Sequence, residues 1–168
     1  MTTDSSDLSG TIRFLPIALD VRGRACLVVG GGSVGTRKAV TLAQAGAAVT
    51  VVSPVVTAEL TEQISAGGIS WVEGQFRDGH LSGVFLVVAA TNDEALNAVV
   101  VKHAAERGAL VCDASSVERS QVIFGAVLKR DEATIAVFTD GRDPAQAKQT
   151  RDQIAGFLAA ERQVGTKS

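Results

Sequence analysis

The feature that most constrains the fold is a glycine-rich turn between an apolar run and an amphipathic segment. Residues 25–38 read ACLVVGGGSVGTRK, in which Gly30, Gly32 and Gly35 fit the pattern G-x-G-x-x-G. In such a turn the first glycine permits a tight bend, the second lets backbone approach a pyrophosphate, and the third lets a helix pack closely on a strand. Because a predicted strand precedes the pattern and a predicted helix follows it, the sequence indicates a dinucleotide-binding turn.

The residues that follow the glycines open the predicted helix. A helix N-terminus offers unpaired N–H groups and the positive end of the helix dipole to an anion. We therefore expect the N–H groups of Ser33 and Val34, with Gly30, Gly32 and Gly35, to bind the cofactor's pyrophosphate. The alternative interpretation is a glycine-rich turn that holds no ligand.

Apolar runs alternate with segments of helical periodicity along the first two thirds of the chain. Near-continuous apolar strands are typical of a parallel sheet that is covered on both faces. The pattern predicts an α/β fold with a doubly wound, Rossmann-type parallel sheet. The five predicted strands lie in ACLVV (25–29), AVTVVSP (48–54), ISWVEG (69–74), VFLVVAATND (84–93) and ALVCDASS (109–116).

The alternation ends after residue 116. Two β-rich runs, 121–128 and 134–138, flank the polar turn KRDE and predict a β-hairpin that is added to the sheet. Residues 145–163 place apolar side chains at helical spacing, so they predict an amphipathic helix that begins near Pro144.

These patterns predict three regions. We expect a flexible tail over residues 1–12 and a dinucleotide-binding domain over residues 13–116. The hairpin and helix of residues 117–168 are predicted to form a small dimerisation region.

Composition excludes several classes of function. Lys and Arg number 16 against 18 Asp and Glu, so a nucleic-acid partner is not expected. The polar first residues lack a secretory signal, and no apolar run reaches the roughly 20 residues that span a bilayer. We expect a cytoplasmic protein with no membrane partner. His80 and His103 are expected to be solvated, and Cys26 and Cys112 to be small buried hydrophobes, so no metal site is expected.

Two further strand ends are candidate cofactor contacts. The second strand usually ends in an acidic residue that binds the adenosine ribose, and Ser53 stands at that place. Its hydroxyl leaves the choice between NAD and NADP weakly specified. Thr91 and Asn92 follow the fourth strand, where the ligand crevice of an open α/β sheet lies.

The motifs together resemble the precorrin-2 dehydrogenase family, the NAD-dependent module of siroheme synthases, some members of which also chelate iron. The resemblance rests on LPI, VGGG-x-V-x-x-RK, AGA-x-VTVVSP, AATND and TIAVFTDGRDPA, in matching order over about residues 14–157. It implies a homodimer that oxidises the tetrapyrrole precorrin-2 to sirohydrochlorin, with NAD as the hydride acceptor. The family match carries over the glycines, Ser33, Val34 and the corner Ser53, Pro54 and Val55 as cofactor-binding residues.

One departure from the family concerns the chemistry. Members carry N-x-x-D after the fifth strand, and the resemblance implies a catalytic role for that Asp. This chain reads CDASSVE, which places Asp113 at the Asn position and Ser116 at the Asp position. Ser116 and Asp113 are therefore the catalytic candidates, although a serine without an adjacent base is a poor general base. The alternative hypothesis is a catalytically degenerate NAD(H)-binding subunit or sensor that keeps the glycine turn.

Overall fold

The computed structural model describes the backbone of residues 12–165 and the side chains of residues 12–160. This part of the chain forms two compact units. The first comprises Ile17–Val122, and the second comprises residues 12–16 with residues 123–165. The first unit includes residues 117–122 because the N–H groups of Gln121 and Val122 both donate to the Val111 carbonyl, at 2.9 and 3.0 Å.

The first unit is a five-stranded parallel sheet with the order β3-β2-β1-β4-β5. The predicted Rossmann-type α/β fold is thus confirmed. The strand order reverses between β1 and β4, and open sheets of this kind bind ligands beyond the strand ends at that switch point. The strands are β1 Ala25–Val29, β2 Ala48–Ser53, β3 Ile69–Glu73, β4 Leu86–Ala89 and β5 Leu110–Asp113. The helices are α1 Ser33–Gln44, α2 Ala58–Ser65 and α3 Glu94–Glu106, with a single 3-10 turn at Asp78–Leu81.

Helices cover both faces of this sheet, which explains why its strands are apolar throughout. A Cβ atom added at Gly35 of α1 would lie 3.6 Å from Val28, so α1 packs on the Val28 face. Leu27, the neighbour of Val28, instead belongs to the core cluster that contains Val100 and Val101 of α3. Since successive side chains of a strand point to opposite faces, α1 and α3 lie on opposite sides of the sheet.

Helix α1 follows the glycine turn directly, as the sequence predicts. Its buried residues are Gly35, Thr36, Ala39 and Leu42, whereas Val34 is 36% exposed. Gly46 follows the end of the helix, has a φ of +84° and donates its N–H to the Ala43 carbonyl at 2.9 Å.

The second unit contains a hairpin and a long helix. Strands β6 Ala126–Arg130 and β7 Ala133–Val137 pair in antiparallel, and α4 spans Pro144–Gly165. The expectation that the hairpin extends the parallel sheet is wrong, because β6 and β7 form a two-stranded sheet of their own. Its first strand also starts at Ala126 rather than residue 121, since residues 121 and 122 bond to Val111 instead.

The predicted burial of both cysteines is confirmed. Cys26 and Cys112 are free thiols with 2% and 5% of their surface exposed. Burial raises the pKa of Cys112 to about 11 against the opposing effect of the Lys38 ammonium. The Cys112 thiol therefore stays protonated near neutral pH.

The histidines differ from the expectation of simple solvation. His103 Nδ1 lies 2.8 Å from Asp78 Oδ1, and His80 Nδ1 accepts the Arg77 N–H at 3.1 Å. Among the described residues no cluster of three His, Cys, Asp or Glu side chains could hold a metal ion. Within residues 12–165, no helix is both long and apolar enough to cross a membrane.

Candidate functional site

A cavity of about 630 Å³ lies at the carboxyl ends of β1, β2, β3 and β4 in the first unit. The strand ends converge there because all five strands are parallel and the strand order reverses beside β1. The cavity thus occupies the position that an α/β sheet offers a ligand. Its lining comprises residues 29–32, 52–57, 74–76 and 90–93, together with Leu96.

Two of the predicted glycines are required by close backbone approaches. Gly30 has a φ of +112°, and a Cβ atom there would lie 2.4 Å from the Ala90 carbonyl oxygen. At Gly35 a Cβ atom would lie 1.9 Å from the carbonyl oxygen of Gly30. Both distances are far below van der Waals contact, so these positions accept only glycine without movement of the backbone. They set the distance between α1 and the end of β1.

The other two glycines of the turn differ from each other. Gly32 would meet nothing within 4 Å if a Cβ atom were added, so its missing side chain serves no contact within the described protein. A Cβ atom on Gly31 would lie 2.4 Å from the Val55 carbonyl oxygen. The sequence pattern did not single out Gly31, because it occupies a variable position of G-x-G-x-x-G. Gly32 therefore leaves open space on the cavity wall, as a pyrophosphate-binding position requires.

The first turn of α1 presents N–H groups beside the same wall. The first backbone bond of the helix runs from the Thr36 N–H to the Gly32 carbonyl at 2.8 Å. The N–H groups of Ser33, Val34 and Gly35 precede that bond, and no intrahelical acceptor exists for such groups. Gly32 is the N-cap residue and has no side chain to cap them. The geometry suits an anion at this helix end.

The Ser53, Pro54 and Val55 corner forms another part of the cavity wall. Ser53 is buried, and its hydroxyl donates to the Val55 carbonyl at 2.7 Å. The Ser53 carbonyl accepts the indole N–H of Trp71 at 3.0 Å and the Gly74 N–H at 3.2 Å. The hydroxyl proton of Ser53 is thus used to shape the corner.

The wall after β4 is held by a residue that the sequence analysis missed. Asn97 is fully buried, and its side-chain oxygen accepts the N–H of Thr91 at 3.0 Å. A periodic signal existed for it, since Asn97 shares the buried face of α3 with Val100, Val101 and Ala104. A polar side chain on such a face needs hydrogen-bond partners. Thr91 and Asn92 themselves line the cavity, where the sequence placed them.

The catalytic candidates lie outside the cavity lining that the described residues form. Asp113 has a fully buried side chain, and its Oδ2 accepts the Arg119 Nε–H at 2.7 Å. Its Oδ1 accepts the N–H and the hydroxyl of Ser115 at 2.9 and 2.6 Å. Ser116 is half-buried and follows in the same turn, where its carbonyl accepts the Ser120 hydroxyl at 2.9 Å. A catalytic role for Ser116 or Asp113 stays a prediction.

Opposing effects act on the Asp113 carboxyl. Burial raises its pKa, but the hydrogen bonds from Ser115 and Arg119 outweigh burial, and the pKa lies below its ordinary value. Arg119 also donates to Glu94 at 3.1 Å, which ties the turn after β5 to the start of α3. The Asp113 carboxyl is therefore ionised at neutral pH.

The chain is similar to known NAD(P)-binding proteins, in agreement with the cavity geometry. An NAD(P)-binding family model matches residues 17–126. Siroheme synthases of Photorhabdus laumondii and Pseudomonas aeruginosa are 37% and 40% identical to the chain over 145 residues. Those alignments cover 86% of the chain and 31% of each synthase, so the chain spans about a third of these relatives.

A solved structure shares both sequence and fold with the chain. SirC, a precorrin-2 dehydrogenase, is 34% identical and superposes with a TM-score of 0.73. The match covers 85% of this chain and 70% of SirC. At this identity and coverage the two proteins share a family as well as a fold.

The Gly35 contact predicts a stability effect. Gly35→Ala should destabilise the protein by at least about 2 kcal/mol, because its Cβ would force α1 away from the Gly30 carbonyl. Urea unfolding measures the change. Gly79→Ala is the matched control, since nothing lies within 4 Å of a Cβ atom there. Equal stability of the two variants would contradict the close approach.

The Arg119 pair predicts a pH-dependent effect. Arg119→Gln should lower the free energy of unfolding at pH 7 by about 2 kcal/mol, because a buried carboxylate loses its charged donor. The depressed pKa of Asp113 stabilises the wild type above the unfolded pKa of about 3.9, and this stability disappears as pH falls through the folded pKa. The difference between variant and wild type should therefore shrink on acidification.

Denaturant unfolding at several pH values checks this expectation. The control is Arg107→Gln, which breaks an exposed pair with Asp78 and should cost less than about 1 kcal/mol. For Arg119→Gln, a loss that stays the same from pH 7 down to a pH below the folded pKa of Asp113 would show that the Asp113 charge is not involved.

Proposed function

Because the chain belongs to the precorrin-2 dehydrogenase family of NAD(P)-binding proteins, we propose that it oxidises precorrin-2 to sirohydrochlorin in siroheme synthesis, with NAD as the hydride acceptor. The observation that carries the proposal is the open wall at Gly32, beside the N–H groups of α1 and at the switch point of the sheet. The likeness to SirC and to siroheme synthases supports the substrate.

The residues present fit a dinucleotide. The N–H groups of Ser33 and Val34 would bind its pyrophosphate, and Gly32 would allow the phosphates to approach the backbone. Thr91 and Asn92 line the cavity at the end of β4, next to the glycine turn. NAD supplies the hydride-accepting chemistry when bound, while the protein orients it and shields it from water.

The charges around the cavity support NAD over NADP. Asp93 is the single charged side chain in the lining that the described residues provide. A 2′-phosphate is usually accommodated by an arginine near the end of β2, and the lining there is Ser53, Pro54, Val55 and Val56. The described residues that line the cavity there include no Arg or Lys, which favours the dinucleotide without that phosphate.

Hydride transfer needs orientation of the two reactants more than a protein base. Among the described residues no carboxylate or imidazole is hydrogen-bonded to the Ser116 hydroxyl, and the Asp113 carboxylate is engaged by Ser115 and Arg119. We expect the reaction to proceed without a dedicated carboxylate at a reduced rate. The second candidate function rests on the same observation: an NAD(H)-binding subunit or sensor that has lost turnover.

The second unit supports the proposal of a homodimer. Its exposed apolar side chains include Val127, Phe138 and Phe157, of which Phe157 is 65% exposed. A dimer interface in this unit would remove such side chains from water. Sedimentation analysis of the native protein tests this assembly, and a monomer at micromolar concentration would contradict it.

Cofactor binding is tested at Gly32. Gly32→Ala should raise the Kd for NADH at least tenfold while leaving the unfolding midpoint unchanged, because its Cβ fills ligand space and touches no protein atom. Fluorescence titration with NADH and NADPH measures both affinities, and NADH should bind more tightly. Gly79→Ala should bind NADH like the wild type. Unchanged affinity in Gly32→Ala would place the cofactor elsewhere.

The reaction is tested by anaerobic NADH formation from precorrin-2 and NAD, in the native protein and in Ser116→Asp. We expect NADH above the enzyme-free control in the native protein and a higher rate in the variant, because a carboxylate is a better proton acceptor than a hydroxyl. Turnover in Ser116→Asp alone would favour the binding subunit. Tight NADH binding without turnover in either protein would contradict the dehydrogenase proposal.

A further inference from the structure

We infer that Asn97 is a positioning residue that fixes the part of the cavity wall formed by Ala90 and Thr91, here called the Thr91 wall. Asn97 is itself held by a hydrogen-bond chain that runs to Ser115 and the Asp113–Arg119 ion pair. The inference rests on the proposed dinucleotide site for its functional consequence. Asn97 itself is absent from the cavity lining, so it acts through Thr91 rather than on the ligand.

Asn97 holds the backbone of Thr91 from both sides. Its Oδ1 accepts the Thr91 N–H at 3.0 Å, and its Nδ2 donates to the Thr91 carbonyl at 3.1 Å. Oδ1 also lies 2.7 Å from the Thr91 hydroxyl. Both peptide groups that flank Thr91 are therefore oriented by one side chain.

The burial of Asn97 is the reason to assign it a role beyond stability. Its residue surface is 0% exposed, while Val100, Val101 and Ala104 supply the rest of the buried face of α3. Burying an amide gains little unless every polar atom is bonded, whereas an apolar residue would suit this face without that demand. The amide is satisfied here only because Thr91 and Ser115 meet it.

The Ser115 chain determines which way the Asn97 amide points. The Ser115 hydroxyl donates to Asp113 Oδ1 at 2.6 Å, so its oxygen is left to accept the Asn97 Nδ2–H at 3.1 Å. Arg119 holds the other oxygen of Asp113 at 2.7 Å. If the Asn97 amide were flipped, its NH₂ group would face the Thr91 N–H, another donor, and its oxygen would face the Ser115 oxygen, another acceptor. The ion pair thus sets the amide orientation that the Thr91 backbone requires.

The Thr91 wall and the glycine turn are in immediate contact. A Cβ atom on Gly30 would lie 2.4 Å from the Ala90 oxygen and 3.0 Å from the Thr91 nitrogen. The Ala90 N–H donates to the Val29 carbonyl at 2.8 Å, which holds the two strand ends together. Any shift of the Thr91 peptide groups therefore changes the space beside Gly30, where the dinucleotide is proposed to lie.

The test compares Asn97→Ala with Val100→Ala, a truncation on the same buried face of α3 that leaves Thr91 bonded. In Asn97→Ala the Thr91 amide should exchange its hydrogen at least tenfold faster than in Val100→Ala. Exchange is measured without ligand, at denaturant concentrations that give the two variants the same free energy of unfolding. The Kd for NADH should rise at least tenfold in Asn97→Ala and less than threefold in Val100→Ala. A purely structural role would move both variants together.

Ser115→Ala gives a second variant, which removes only the hydroxyl that accepts from Asn97 and leaves both Asn97 and Thr91 in place. Removing the hydroxyl should speed Thr91 amide exchange and raise the Kd for NADH about threefold, since the amide loses the partner that orients it. The inference is overturned if Asn97→Ala and Ser115→Ala both keep wild-type Thr91 protection. A wild type that binds neither NADH nor NADPH would instead contradict the proposed function, and Thr91 exchange would still decide whether Asn97 fixes the wall.

Discussion

The close approach of α1 to the end of β1 is the constraint on which the rest of the site depends. Only the absence of a Cβ atom at Gly35 allows the helix to lie against the Gly30 carbonyl, which a Cβ would approach to 1.9 Å. That approach aims the first N–H groups of α1 at the space beyond β1, and Gly32 keeps the space open. The shape of the cavity wall beside α1 therefore follows from backbone packing more than from any reactive side chain.

Buried polar side chains are the second structural feature that holds the cavity in shape. Asn97 and Asp113 are buried within one hydrogen-bond chain, and Thr36 is buried against Thr57 with their hydroxyl oxygens 2.8 Å apart. Satisfied networks of this kind make one arrangement much more favourable than its neighbours, since a half-satisfied network costs more than an apolar core. These buried polar groups hold the turns that follow the strands at the carboxyl end of the sheet.

The environment of the Asp113 carboxylate suits it to orienting its neighbours rather than to accepting a proton. In the turn after β5 it is ionised, buried and saturated by donors from Ser115 and Arg119. Such a carboxylate orients neighbours well and accepts a substrate proton poorly, because its depressed pKa favours the charged form and its acceptor positions are engaged. The proposed oxidation therefore depends on how the cavity holds the cofactor.

The sequence by itself determined the parallel α/β sheet, the glycine turn and the placing of Thr91 and Asn92, because periodicity and turn chemistry are local properties of the chain. Tertiary structure alone decided that the hairpin forms a separate sheet and that Asn97 meets Ser115, 18 residues away. Local patterns cannot specify such partners, since a buried amide or carboxylate acquires its role from whichever groups the fold brings within hydrogen-bond distance.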